Sequence, residues 1–165
     1  MVGVGSLYRR RVALTGLLLF SAMAATLAPM AAHAGSAVHG AREGPALGGF
    51  DAVAYFADGA PKPGDARYSH EWNGATWRFA SAEHRDLFKA EPARYAPQYG
   101  GYCAYAMSNG AFSPGDARRW RIEDGKLYLN ANVFAQGLWQ SNIPKRVLEA
   151  DGHWPTKKAE LEAAP

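Results

Sequence analysis

Among the 165 residues there is one cysteine, Cys103, and that scarcity excludes several kinds of chemistry. An internal disulfide is impossible, thiol–disulfide exchange has no resolving partner within the chain, and a closed zinc site built on several cysteines cannot be assembled. Methionine is nearly as scarce, because beyond residue 30 only Met107 remains. No phosphate-binding loop is present: the pairs Gly48-Gly49 and Gly100-Gly101 lack both the lysine and the strand-to-helix setting. The one sustained apolar run, Val12 to Ala28, is interrupted by Thr15, Gly16, Ser21 and Thr26. It falls short of the roughly 20 residues a membrane span requires, so a membrane-spanning protein is not expected.

What that run does resemble is a leader. Arg9-Arg10-Arg11 precede it, and Pro29 and the small-x-small triplet Ala32-His33-Ala34 follow it. This order reads as a secretory signal peptide over residues 1–34, cleaved after Ala34, and predicts a periplasmic or secreted protein. The arginines followed by Val12-Ala13-Leu14 loosely resemble a twin-arginine signal. The leader also carries the whole excess of positive charge: Lys and Arg number 18 against 15 Asp and Glu, and Arg9, Arg10 and Arg11 are the difference. The remainder is neutral with histidine uncharged, which gives no support for binding nucleic acid or an anionic membrane. Its length of roughly 130 residues suits one domain with a proper core.

Residues 35–46 are rich in glycine and alanine and read as a flexible lead-in. Val53-Ala54-Tyr55-Phe56 is a short strand candidate, closed by the turn-rich stretch Asp58 to Gly64. Two alternating runs flank Asn73-Gly74, the preferred pair for a two-residue type I′ turn, and predict a hairpin over Arg67 to Ala80. That register sets His70 opposite Trp77 and Tyr68 opposite Phe79, with Tyr68, His70, Trp72, Trp77 and Phe79 on one inward face. Ser81 caps a helix over Ala82 to about Ala90, and Glu91-Pro92 begins a further turn. A second hairpin about Asp124-Gly125 pairs Glu123 with Lys126, Ile122 with Leu127 and Trp120 with Leu129. Helices follow from Ala131 to about Gln140 and from Ile143 to Asp151, with Gly152 as the stop, and residues 156–165 read as a mobile charged tail. No internal repeat and no second domain is evident. Hairpins and helices in separate blocks predict an α+β fold, a small single domain in which two β-hairpins form an antiparallel sheet packed by several short helices.

The stretch from Tyr95 to Asn109 concentrates the unusual residues, holding Cys103, Met107 and four of the eight tyrosines. A helix over Gly101 to Asn109 stacks the two sulfurs one turn apart on one face.

Five blocks carry a resemblance to a known family. They are Gly49 to Phe56, Trp77 to Ser81, Tyr95 to Ala104, Gly125 to Asn130 and Ala150 to Pro155. Together they resemble the exported branch of the YHS-domain proteins over residues 47–155. Some YHS domains accompany heavy-metal transport ATPases and metal-dependent systems, so the resemblance implies metal binding, copper in particular. The chain departs from the pattern in having Tyr68-Ser69-His70 in place of Tyr-His-Ser, no cysteine near the domain start, and Asp51-Ala52 where Asp-Pro is usual.

Two readings of the sulfurs follow. Thiolate, thioether and imidazole suit Cu(I), so Cys103, Met107 and His70 are the candidate metal ligands of a small exported metal-binding module. Alternatively Cys103 and Met107 are core residues, and the chain is a small-ligand or protein-interaction domain whose aromatic face forms the pocket. A thiol-dependent enzyme is the third reading, and no local Cys/His signature supports it. Asp51, Glu83 and Asp116 show no spacing that pairs them as catalytic carboxylates, and His84 and His153 read as exposed or locally bonded.

Overall fold

Two tight turns organise the chain. In a computed structural model, which describes residues 36–164, Asn73-Gly74 and Asp124-Gly125 all have positive φ, the requirement of a type I′ turn. The first turn joins β1 (Asp65–Trp72) to β2 (Ala75–Phe79), and the second joins β3 (Asp116–Glu123) to β4 (Lys126–Asn130). His70 faces Trp77, and the three pairs expected in the second hairpin all form. The expected Tyr68–Phe79 pair does not. An irregularity between Asp65 and Ser69 places Asp65 opposite Phe79 instead. The carboxylate of Asp65 accepts the Arg67 N–H at 2.9 Å, and this local bond diverts the strand from its ladder. The fold is α+β, and its two hairpins form two separate two-stranded sheets.

Short helices occupy the intervals: α1 (Ala54–Ala57), α2 (Ala82–Ala90), α3 (Pro92–Tyr95), α4 (Ala104–Ser108), α5 (Val133–Gln140) and α6 (Ile143–Ala163). Ser81 caps α2 as its sequence predicts, accepting the His84 N–H at 3.1 Å. The strand expected at Val53 to Phe56 is α1, because the Asp51 carboxylate takes the N–H groups of Val53 and Ala54 and starts a helical turn. The helix expected to stop at Gly152 runs on through Pro155 to Ala163. Tertiary contacts outweigh the glycine and proline here. Asp151 accepts the Tyr99 hydroxyl, Trp154 packs on the second core cluster, and the Arg42 guanidinium donates to the carbonyls of Leu161 and Ala164. The stretch expected as a flexible lead-in is likewise docked: Ala37, Val38 and Ala46 are buried, and the His39 N–H donates to the Gly100 carbonyl. The leader expected over residues 1–34 lies outside the described residues. Among the described residues no helix is long and apolar enough to cross a membrane.

The structure contains an internal repeat where none is expected from the sequence. Leu47-Gly48 and Tyr99-Gly100 are matched left-handed pairs inside two 3-10 helices, Ala46–Gly49 and Gln98–Gly101. Phe50 bridges to Pro63 as Tyr102 bridges to Pro114. Asp65 and Asp116 both begin strands with a register shift, and each accepts the N–H two residues on. Each hairpin then leads to a capped helix, by Ser81 in α2 and Asn132 in α5, whose fully buried ring is Phe88 in one and Trp139 in the other. One core cluster gathers around Trp77, Phe79 and Phe88, and a second around Tyr99, Met107, Tyr128 and Trp139.

Candidate functional site

The inward aromatic row of the first hairpin leaves an opening at its turn end. There Trp72 and Trp77 meet Gln98 and Tyr99 from the second 3-10 helix, and Trp154 and Lys158 from α6, around a pocket of about 180 Å³. The walls are fixed. The Trp77 indole N–H donates to the Trp72 carbonyl at 3.0 Å, and the two rings lie 5.8 Å apart at 60°. Tyr99 and Trp154 pack edge to face at 6.0 Å, and the Tyr99 hydroxyl donates to Asp151 Oδ1 at 2.8 Å. Burial, then the hydrogen bond to Asp151 and that residue's charge, hold the Tyr99 hydroxyl protonated far above the ordinary tyrosine range. Ala37 and Val38 also line the pocket, and a Cβ on Gly100 would collide with the Ala37 carbonyl oxygen. Only glycine lets the docked N-terminal stretch approach this closely.

Size decides what the pocket can hold. A cavity of roughly 150 Å³ admits benzene, whereas drug-sized ligands occupy roughly 300–1,000 Å³. One ring with a small substituent is the appropriate scale. Lys158 is the one formally charged residue in the lining, and its ammonium lies 3.6 Å from Glu162 Oε1 in a half-exposed pair. Trp72 and Trp77 were legible in the sequence as an inward row. Tyr99, Trp154 and Lys158 were not, because their convergence depends on α6 continuing past Gly152.

The three candidate metal ligands lie in different surroundings. Cys103 is not inside a helix; it is the N-cap of α4, its sulfur accepting the Ala106 N–H at 3.5 Å and its thiol donating to Asn130 Oδ1 at 3.7 Å. Met107 is fully buried in the second aromatic cluster, while His70 sets its ring against Phe88 of the first, at 6.4 Å. Among the described residues no group of three or more His, Cys, Asp or Glu side chains is placed to hold a metal ion. The reading of the chain as a metal-binding module is thereby overturned. Its premise, a helix spanning both sulfurs, fails because the Gly100-Gly101 pair adopts left-handed geometry and delays the helix to Ala104.

The fold also builds a buried polar centre that no sequence motif marks. Asp51 is fully buried, with Oδ1 accepting Val53 and Ala54 N–H and Oδ2 accepting Ala80 N–H at 2.8 Å. The same Oδ2 lies 2.6 Å from His84 Nδ1, whose ring places Nε2 3.9 Å from Asp58 Oδ2. A carboxylate has about four lone-pair sites, and here all four serve the fold. The pair is therefore a staple between α1, β2 and α2. Nothing in the sequence spacing joins Asp51 to His84. No protein family, curated protein or solved structure matches the chain.

Proposed function

We propose that the chain is a small-ligand-binding module whose pocket receives one flat apolar ring, with Cys103 in a purely structural role. The observation that carries this reading is the pocket itself, about 180 Å³ walled by Trp72, Trp77, Tyr99 and Trp154. All four of those rings are held by hydrogen bonds or ring contacts within the fold, so the cavity is preorganised and little ordering is required on binding. The five sequence blocks support placing it with the exported YHS-domain proteins, and the leader composition supports export.

Tryptophan emission of the purified protein reports on this directly. Benzyl alcohol, a neutral single-ring probe, is expected to change the emission saturably, and Trp154→Ala is expected to weaken that binding at least tenfold. A linear, non-saturating response, or full retention of binding in Trp154→Ala, would refute the assignment.

A further inference from the structure

We infer that the pocket selects a single-ring ligand bearing an anionic group, such as an aromatic carboxylate; this rests on the pocket being the binding site. Aromatic walls alone suggest the opposite charge. Tryptophan and tyrosine faces carry negative quadrupole density, and cages of such rings are used to bind quaternary ammonium groups. The lining here breaks that pattern. It contains no Asp or Glu, and its one formally charged residue is Lys158. The Asp151 carboxylate is engaged by the Tyr99 hydroxyl and is not part of the lining. A cationic ligand would meet the Lys158 ammonium with no carboxylate in the wall to offset it. An anionic one would find that ammonium as a partner, and Gln98 and Asn73, whose side chains carry amide N–H donors, are also lining residues.

The present partner of Lys158 does not forbid this exchange. Glu162 lies 3.6 Å away, and the two side chains are 43% and 45% exposed. Such solvent-screened pairs are weakly held. A carboxylate delivered on a ring that fills the cavity competes with Glu162 for the ammonium while the ring holds it in place.

Calorimetric titration of the purified protein at low ionic strength with benzoate, benzyl alcohol and benzylammonium tests the charge preference. Benzoate is expected to bind about tenfold tighter than benzyl alcohol, the scale of one charge-assisted hydrogen bond, with benzylammonium weakest. Raising the salt should narrow the benzoate advantage. Lys158→Gln is expected to abolish the difference between benzoate and benzyl alcohol, and Glu162→Gln to widen it by releasing the ammonium. Equal affinities for benzoate and benzyl alcohol in the wild type, or a benzoate preference that survives Lys158→Gln, would overturn the inference while leaving the pocket assignment standing. Failure of all three probes to bind would overturn both.

Discussion

Replacing Asp51 by Asn tests the polar staple with a change of almost no volume. The amide oxygen can keep the two bonds to Val53 and Ala54 N–H, since those hold the start of α1. The amide nitrogen then stands where Oδ2 accepts Ala80 N–H at 2.8 Å and approaches His84 Nδ1 at 2.6 Å. His84 can recover one contact by presenting an unprotonated Nδ1 as acceptor. Ala80 cannot, and its N–H is left facing another donor in a site with no exposure at Asp51. A buried donor left unsatisfied costs about 1–3 kcal/mol, and exchanging a charged acceptor for a neutral contact at His84 costs about 1 kcal/mol more. The expected loss is about 2–4 kcal/mol. For a domain of this size each kcal/mol moves the midpoint by about 3–5 °C, so calorimetry should show a fall of about 6–20 °C. A double-mutant cycle with His84→Ala should give a coupling of about 1 kcal/mol or more. A fall below about 3 °C would show that the four contacts do not act as a staple.

Cys103→Ser should change stability by less than about 1 kcal/mol in urea unfolding, because a hydroxyl is a better N-cap than a thiol and offsets the smaller buried volume; a loss above about 2 kcal/mol would contradict the capping role. Alkali should unfold the protein between about pH 10 and pH 12. Burial, with lesser contributions from Asp151, Asp124 and Glu123, raises the Tyr128 hydroxyl to about 12. Tyr55 and Tyr99 are shifted in the same direction, by burial first. The unfolded chain loses these protons from about pH 10, the folded one later, so stability is complete below the unfolded value and declines through the folded one. Tyrosinate absorbance rising non-cooperatively before unfolding would count against this.

What the sequence made legible was local. Asn73-Gly74 and Asp124-Gly125 announce their turns because few other pairs adopt positive φ twice in succession, and the cross-strand partners near each turn followed from them. The register was lost only beyond the shift after Asp65, where a side-chain bond outcompeted the ladder. The fate of α6 was not local. Gly152 and Pro155 are sound stop signals, and they are overridden by contacts with Tyr99 and Arg42, both more than 50 positions away in the chain. The pocket inherits that opacity, since Trp154 and Lys158 lie beyond the expected stop. The repeat was there to be read, however. Pro63-Gly64-Asp65-Ala66-Arg67 recurs identically as Pro114-Gly115-Asp116-Ala117-Arg118, while the surrounding residues have diverged enough to hide the rest.

That divergence explains why a lone cysteine sits where it does. Cys103 occupies in the second copy the place of Asp51 in the first, directly after Tyr102 and Phe50, which make matching bridges. In the first copy a single carboxylate oxygen takes the N–H groups of both Val53 and Ala54. The corresponding groups in the second copy belong to Tyr105 and Ala106, and the work is divided: Asn130 Oδ1 takes Tyr105 at 3.2 Å and Cys103 Sγ takes Ala106 at 3.5 Å. A carboxylate at 103 would lack the counterpart of His84, since the matching position on α5 is Ala135. Burying that charge unpaired would cost several kcal/mol, whereas a thiol buries readily and still accepts one N–H. The division is imperfect, because Asn130 Nδ2 is left buried with no hydrogen-bond partner. Cys103 is thus accounted for as a thiol cap at the position where the first copy has a carboxylate. The two copies have kept one backbone and exchanged its chemistry, an ion-supported staple in the first and a neutral capping pair in the second. The pocket lies between the turn of the first copy and the 3-10 helix that opens the second, so it is lined by residues of both without drawing on either staple.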